Sequence, residues 1–179
     1  GGPKEDVDFS PDGKQVYFVE GPNGVALWRV PVEGGLAEKV RHGPSLDSWK
    51  VSPDGKWILV SRSEIRESWD IELFPSDLSA PPVNITRRPG YNSYVRWVGD
   101  GRQIAYVYRD NWRRGLDPAI HVLPLERKPD KLDDEPADEP DKDKEKDKPI
   151  EVDWEDIHTR ARQVASFSGQ QHEFAVMPD

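Results

Sequence analysis

Arginine and aromatic side chains between residues 62 and 114 are the residues best suited to bind a ligand. Guanidinium groups hold carboxylates through paired hydrogen bonds, and Trp or Tyr offers a flat apolar surface. This combination predicts a peptide-binding or protein-binding rim. The alternative is a solvated loop whose arginines pair with Asp110 and Asp117. The predicted rim residues are Arg88, Tyr91, Arg109, Trp112, Arg113 and Arg114.

Neither catalysis nor metal binding has a recognisable motif. The chain contains no Gly-x-Ser-x-Gly elbow, no glycine-rich phosphate loop and no His-Glu-x-x-His pair, and it has no cysteine. Asp141, Asp143 and Asp147 could suggest a calcium loop, but the lysines between them oppose a cation and no glycine bends the chain. We therefore expect no catalytic residue, no metal site and no cofactor in this chain.

An internal repeat must position the rim. Ser52–Gly55 reads Ser-Pro-Asp-Gly, a turn sequence, and an apolar run follows it. Ser10–Gly13 repeats the phrase, and Val98–Gly101 is a divergent copy that begins Val-Gly. The aspartates are 42 and then 46 positions apart, which matches the roughly 40 to 50 residues of a propeller blade. The predicted structural turn residues are Asp12, Gly13, Asp54, Gly55, Asp100 and Gly101.

The repeat predicts an all-β chain that forms part of a β-propeller of four-stranded antiparallel blades. We expect about three blades, at residues 5–46, 47–92 and 93–170, and the first strand of a fourth at 171–179. The last strand of the second blade is expected to run from Val83 to Thr86. The Asp-Gly turns should lie on one face. The connections from second to third strand and from blade to blade should lie on the other face, with the arginine rim. The arginines expected on that face are Arg62, Arg66, Arg87, Arg88, Arg109, Arg113 and Arg114.

Two stretches near the end of the third blade differ from the repeat. Residues 127–148 alternate Asp, Glu, Lys and Pro, which predicts an exposed, disordered-like insertion. Apolar and acidic residues alternate in Ile150–Trp154, which predicts a strand. Glu155–Thr159 is expected to form a short helical turn.

Charge and hydropathy limit the partners. A net charge of −9 argues against nucleic-acid binding, and no stretch is long and apolar enough to cross a bilayer. Three blades leave unpaired strand edges. We therefore expect the remaining blades to come from the same protein or from a second chain, with self-association as a further possibility.

The repeat resembles the propellers of TolB-type proteins, tricorn-type peptidases and prolyl-oligopeptidase relatives. Asp153, Ile157 and Arg160 lie in a segment that looks like the Asp-aromatic-acidic-Ile-x-x-Arg sequence of tricorn-like peptidases of the S41 serine class. This resemblance implies a propeller that admits substrate or binds protein, with catalysis in a C-terminal core absent from this chain.

Two alternatives stay open. One is a non-enzymatic, TolB-like binding propeller, and the other is the propeller of another hydrolase, such as an amidohydrolase or a prolyl-oligopeptidase relative. The resemblance favours a periplasmic or other extracytoplasmic location over the cytoplasm.

Overall fold

The computed structural model describes residues 4–21, 25–65, 68–110, 118–127 and 149–166. These residues form an all-β, open segment of a β-propeller, as the repeat predicted. The predicted start of a fourth blade, nearly all of the charged insertion, and Trp112, Arg113 and Arg114 lie outside the described residues.

The first blade is a four-stranded antiparallel sheet whose strands follow chain order. Each strand is five or six residues long. The strands are β1 (Lys4–Phe9), β2 (Gln15–Glu20), β3 (Ala26–Pro31) and β4 (Glu38–His42).

The second and third blades repeat this antiparallel order. One parallel pairing, Trp69 with Tyr91, joins them into a continuous sheet. The second blade has β5 (Ser45–Val51), β6 (Trp57–Ile65), β7 (Ser68–Pro75) and β8 (Val83–Asn84). The third has β9 (Tyr91–Val98), β10 (Gln103–Arg109), β11 (Ala119–Pro124) and β12 (Arg162–Ser166).

Two apolar cores lie on opposite faces of the second blade, and strand alternation sorts the residues between them. In β6, Ile58 and Val60 pack towards the first blade with Tyr17, whereas Leu59 packs towards the third blade with Tyr106. Because β6 is covered on both faces, its sequence is a continuous apolar run rather than an alternating one.

The predicted Asp-Gly turns have a shared hydrogen-bond pattern. Ser52 Oγ donates to Asp54 Oδ1 at 2.6 Å and accepts the Trp57 N–H at 2.9 Å, while Asp54 Oδ1 also accepts the Lys56 N–H at 3.1 Å. The first blade repeats these bonds around Ser10. Gly55 has φ +73°, a conformation that glycine adopts without strain.

The third turn replaces the serine hydroxyl with an ion pair. Val98 has no side-chain hydroxyl, but Arg102 Nε donates to Asp100 Oδ2 at 2.9 Å, and the Arg102 guanidinium also contacts Glu126. The Asp100 Oδ1 bond to the Arg102 N–H, at 3.1 Å, is kept. The divergent copy therefore keeps its turn by a different set of bonds.

Two strand predictions are corrected. Ile150–Trp154 forms no strand, because its backbone bonds to side chains and to the Leu125 carbonyl instead of to a neighbouring strand. The predicted strand from Val83 to Thr86 ends at Asn84, whose side-chain oxygen accepts the N–H groups of Thr86 and Arg87. The expected helical turn is a 3₁₀ turn at Ile157–Thr159.

No helix within the described ranges has the length and apolar character needed to span a membrane.

Candidate functional site

A cavity of about 270 Å³ opens where the second and third blades meet. The parallel pairing of Trp69 with Tyr91 brings β7 and β9 together beside it, and Arg109 ends the neighbouring strand β10. The lining residues are Asp47, Trp69, Tyr91, Ser93, Tyr94 and Arg109. This composition, three aromatic rings with one carboxylate and one guanidinium, is suited to bind a peptide segment.

A β-bulge in β9 shapes the cavity. Between Ser93 and Arg96 two residues of β9 face one residue of β10, and Tyr94 has φ +55°. This conformation is strained for a tyrosine, and such bulges often redirect groups towards a binding site. Here the Tyr94 N–H donates to Asp47 Oδ2 at 3.2 Å, while the Val95 N–H donates to Ser48 Oγ at 3.1 Å. The bulge therefore ties the innermost strands of two blades together.

Asp47 carries the negative charge of the cavity. Burial raises its pKa, and the nearby Asp6 carboxylate acts in the same direction. The Tyr94 N–H, the Ser48 hydroxyl and the Arg109 charge oppose this effect, but the pKa remains above its ordinary value.

Arg88 lies flat over an aromatic ring at the same edge of the third blade. Its guanidinium carbon is 3.6 Å from the ring centroid of Tyr108, and Tyr108 Oη donates to the Pro89 carbonyl at 3.1 Å. Gly90, with φ +121°, completes this corner, and a Cβ there would come within 2.6 Å of the Arg109 carbonyl oxygen. Only glycine fits this close approach.

Behind Arg88 lies an aromatic cluster of Tyr106, Tyr108 and His121. The His121 ring stacks on Tyr106 with centroids 5.6 Å apart and meets Tyr108 edge-on at 5.3 Å. Burial raises the pKa of Tyr106 to about 12, against the effect of Arg88. Burial lowers the pKa of His121, and the Arg88 charge lowers it further. His121, which is buried between the two tyrosines, is therefore a packing residue.

The structure brings Arg88, Tyr91 and Arg109 to the edge of the third blade and its junction with the second. Arg62, which we had expected on the same face, is instead buried. Its Nη1 donates to Glu72 Oε1 at 2.8 Å, within the packed interface with the first blade. Successive side chains of β6 point to opposite faces of the sheet. Arg62 therefore lies on the same face as Ile58 and Val60, which is the face that packs against the first blade.

The Arg62–Glu72 pair belongs to an ionic network between blades. Arg41 of the first blade donates to both Glu72 oxygens, at 2.7 and 2.8 Å. Burial alone would raise the pKa of Glu72, but hydrogen bonds and charge from the two arginines outweigh it and hold the pKa below its ordinary value.

The segment with the tricorn-like sequence acts as a strap across the Asp-Gly face. Ile157 is 2% exposed and enters the core between the second and third blades. Trp154 meets Trp57 edge-on with centroids 5.8 Å apart, and the Trp57 indole donates to the Ile150 carbonyl at 3.2 Å. Asp153 pairs with Arg160 at 3.0 Å. The residues that carry the resemblance thus have structural roles.

Across the residues that the structure describes, no group of three or more His, Asp or Glu side chains is arranged to hold a metal ion.

The fold and the cavity define a segment of a β-propeller with a site at a blade junction. Its fold is TolB-like and tricorn-like, as comparison with solved structures shows. No family model matches the chain, and no curated protein matches it by sequence.

The tricorn protease structure matches with a TM-score of 0.70 at 13% identity, over 99% of this chain and 18% of that one. TolB from Agrobacterium tumefaciens matches with a TM-score of 0.58 at 22% identity, over 69% of this chain and 46% of its own. TolB from Acinetobacter baumannii matches with a TM-score of 0.56 at 20% identity, over 69% of this chain and 30% of its own. The chain therefore spans less than half of the length of each of these proteins.

Proposed function

We propose that this chain is the propeller segment of a tricorn-like serine peptidase of the S41 class, and that it binds peptide at the blade-junction cavity. Peptide hydrolysis would be carried out by a C-terminal core outside the present sequence. The observation that carries the peptide-binding proposal is the cavity itself, where Trp69, Tyr91 and Tyr94 lie beside Asp47 and Arg109.

The chemistry of the cavity supports a peptide as the ligand. Aromatic rings bury apolar stems and stack on planar groups, while a guanidinium can hold a carboxylate in a fixed geometry. Arg88 adds a second guanidinium at the same blade edge, already oriented by the Tyr108 ring.

The tricorn assignment has two separate supports. The tricorn protease structure matches almost the whole chain, and the Asp153 to Arg160 segment resembles the family's sequence at this position. At 13% identity the structural match supports the fold, while the peptidase class depends on the sequence resemblance.

Peptide binding can be tested on the full 179-residue chain labelled with ¹⁵N. A mixed pool of unstructured peptides is titrated while the Tyr94 amide and the Trp69 indole signals are followed. We expect saturable shifts at these two signals, and we expect Tyr91→Ala and Arg109→Gln to weaken binding. Ser79→Ala, on the opposite face, should bind like the parent chain. Shifts spread evenly over the surface, with no effect of the rim variants, would refute the proposal.

A TolB-like binding propeller in the periplasm is the second candidate, supported by the two TolB structures that match 69% of the chain. In this case the rim would contact a folded protein, and short peptides would not bind. A peptidase assay on the full-length natural protein separates the two candidates, because only the first predicts peptide hydrolysis there.

A further inference from the structure

We propose that the Asp47 side of the blade-junction cavity is a subsite for a cationic side chain, lysine or arginine, of a bound peptide. This inference rests on the proposed function, because it takes a peptide as the ligand and specifies which residue that peptide must carry.

The first support is the position of the carboxylate. Asp47 accepts the Tyr94 N–H at 3.2 Å and a hydrogen bond from the Ser48 hydroxyl, and these two bonds leave acceptor sites on a group with about four of them. The Asp6 carboxylate is close enough to act electrostatically on Asp47. Among the lining residues Asp47 faces one cation, Arg109, and the Asp6 carboxylate outside the lining adds negative potential at Asp47.

The raised pKa of Asp47 agrees with this assignment. Burial disfavours its charged form, and Arg109 offsets that cost only in part. An arriving cation would stabilise the carboxylate further. Binding should therefore be accompanied by a fall in the pKa of Asp47.

The second support is the aromatic wall. Trp69, Tyr91 and Tyr94 line the same cavity, and the face of an aromatic ring attracts a cation through its quadrupole. The fold already uses this contact elsewhere, since Lys39 Nζ lies 4.9 Å from the Trp28 ring centroid. A carboxylate beside three rings provides both a counter-charge for a lysine or arginine head and an apolar surface for its methylene stem.

Arg109 sets the direction of the ligand. Its charge repels a cation from its own side of the cavity, so the cationic head should contact the part of the Asp47 carboxylate that is farther from Arg109. An uncharged or acidic part of the peptide would then face Arg109.

The test uses three acetylated and amidated octapeptides that differ only at one central position, which is Lys, norleucine or Glu. Each is titrated into the ¹⁵N-labelled full chain while the Tyr94 amide, which bonds directly to Asp47, is followed. We expect the Lys peptide to bind about fivefold more tightly than the norleucine peptide and the Glu peptide most weakly. The Lys preference should shrink as salt is added.

Asp47→Asn is the matched variant, because it keeps an oxygen for the Tyr94 N–H and removes the charge. It should abolish the Lys preference, whereas Asp77→Asn, at an exposed turn, should keep it. Equal binding of the three peptides, or a Lys preference that survives Asp47→Asn, would overturn the subsite while peptide binding stands. If none of the peptides shifts the cavity signals, peptide binding itself fails, and the subsite with it.

Discussion

Asp153 and Arg160 meet at 3.0 Å across the 3₁₀ turn, and together they hold Ile157 in the core between two blades. Arg160 Nη1 also donates to the Leu125 carbonyl at 3.0 Å, beside the Asp153 N–H that donates to the same oxygen. A segment outside the regular blade pattern therefore closes the gap between the second and third blades.

Truncating the strap's apolar anchor should destabilise the fold strongly. Ile157→Ala removes a buried side chain from the core, and we expect the free energy of unfolding to fall by about 2 to 5 kcal/mol. Urea denaturation followed by Trp fluorescence measures this change. Val164→Ala, on the exposed strand β12, is the control and should change stability by less than about 0.5 kcal/mol. Equal effects of the two substitutions would contradict the role of the strap.

Removing the turn hydroxyl of the second blade should also destabilise the chain. Ser52→Ala leaves the partly buried Trp57 N–H without its side-chain acceptor and removes one of the donors to Asp54, so we expect a loss of about 1 to 3 kcal/mol. Ser79→Ala, at an exposed turn, is the comparison. Chemical denaturation of both variants is sufficient, and a Ser52 variant as stable as the parent would show that the turn does not need the hydroxyl.

The ionic network between blades predicts acid sensitivity. Because the pKa of Glu72 is lowered in the folded state, its contribution is present above the unfolded pKa near 4.5 and is lost as pH falls through the folded pKa. Glu72→Gln should cost about 3 kcal/mol near neutral pH, since it removes the buried negative charge that Arg41 and Arg62 share. The variant should also show a flatter decline of stability below pH 4.5. Thermal unfolding between pH 3 and 7 measures both effects.

The buried His121 side chain predicts that stability also depends on pH in a second range, nearer neutrality. Its pKa is lowered by burial and by Arg88, so the stability it contributes is complete above the unfolded pKa of 6.5 and declines as pH falls through the folded pKa. His121→Phe keeps an aromatic ring between the tyrosines and should remove this decline. His42→Gln, at an exposed position, should leave it unchanged. An unaltered stability profile for His121→Phe would exclude His121 as the titrating group.

The outer face of the first blade predicts self-association. Phe9 is 59% exposed there, and its cross-strand partner Val16 lies on the same face. Phe9→Ser should lower the apparent mass at high concentration in sedimentation velocity, because it removes apolar surface available to a second copy. Leu36→Ser, which changes an exposed turn residue 94% accessible to solvent, tests whether any lost apolar group has the same effect. A parent chain that stays monomeric at all concentrations would refute the prediction.

The blades could be predicted from sequence because a turn phrase and an apolar strand recur at a fixed spacing. The prediction for Ile150–Trp154 was wrong because an alternating pattern shows only that one side is buried, and here the chain lies in a groove between blades rather than in a sheet. Arg62 was misplaced because a loop-proximal arginine was assumed to face solvent, although strand alternation directs it inward.

The cavity was less accessible to prediction. Composition assigned Tyr91 and Arg109 to a rim, and both line the cavity, whereas Asp47 and Tyr94, which also line it, were not predicted. Their contact depends on a bulge that leaves no local sequence signal, and on two strands separated by 47 positions in the chain.

The ends of the charged insertion are fixed to each other by side chains of the strap. Arg127, at the near end, bonds to Asp153 at 3.2 Å and to Glu155 at 3.0 Å, both a few residues beyond the far end. These ion pairs hold the point where the chain leaves the third blade close to the point where it returns. A fluorescent or affinity label inserted between Arg127 and Pro149 should therefore leave both points in place, which makes this position the natural attachment point for reporters.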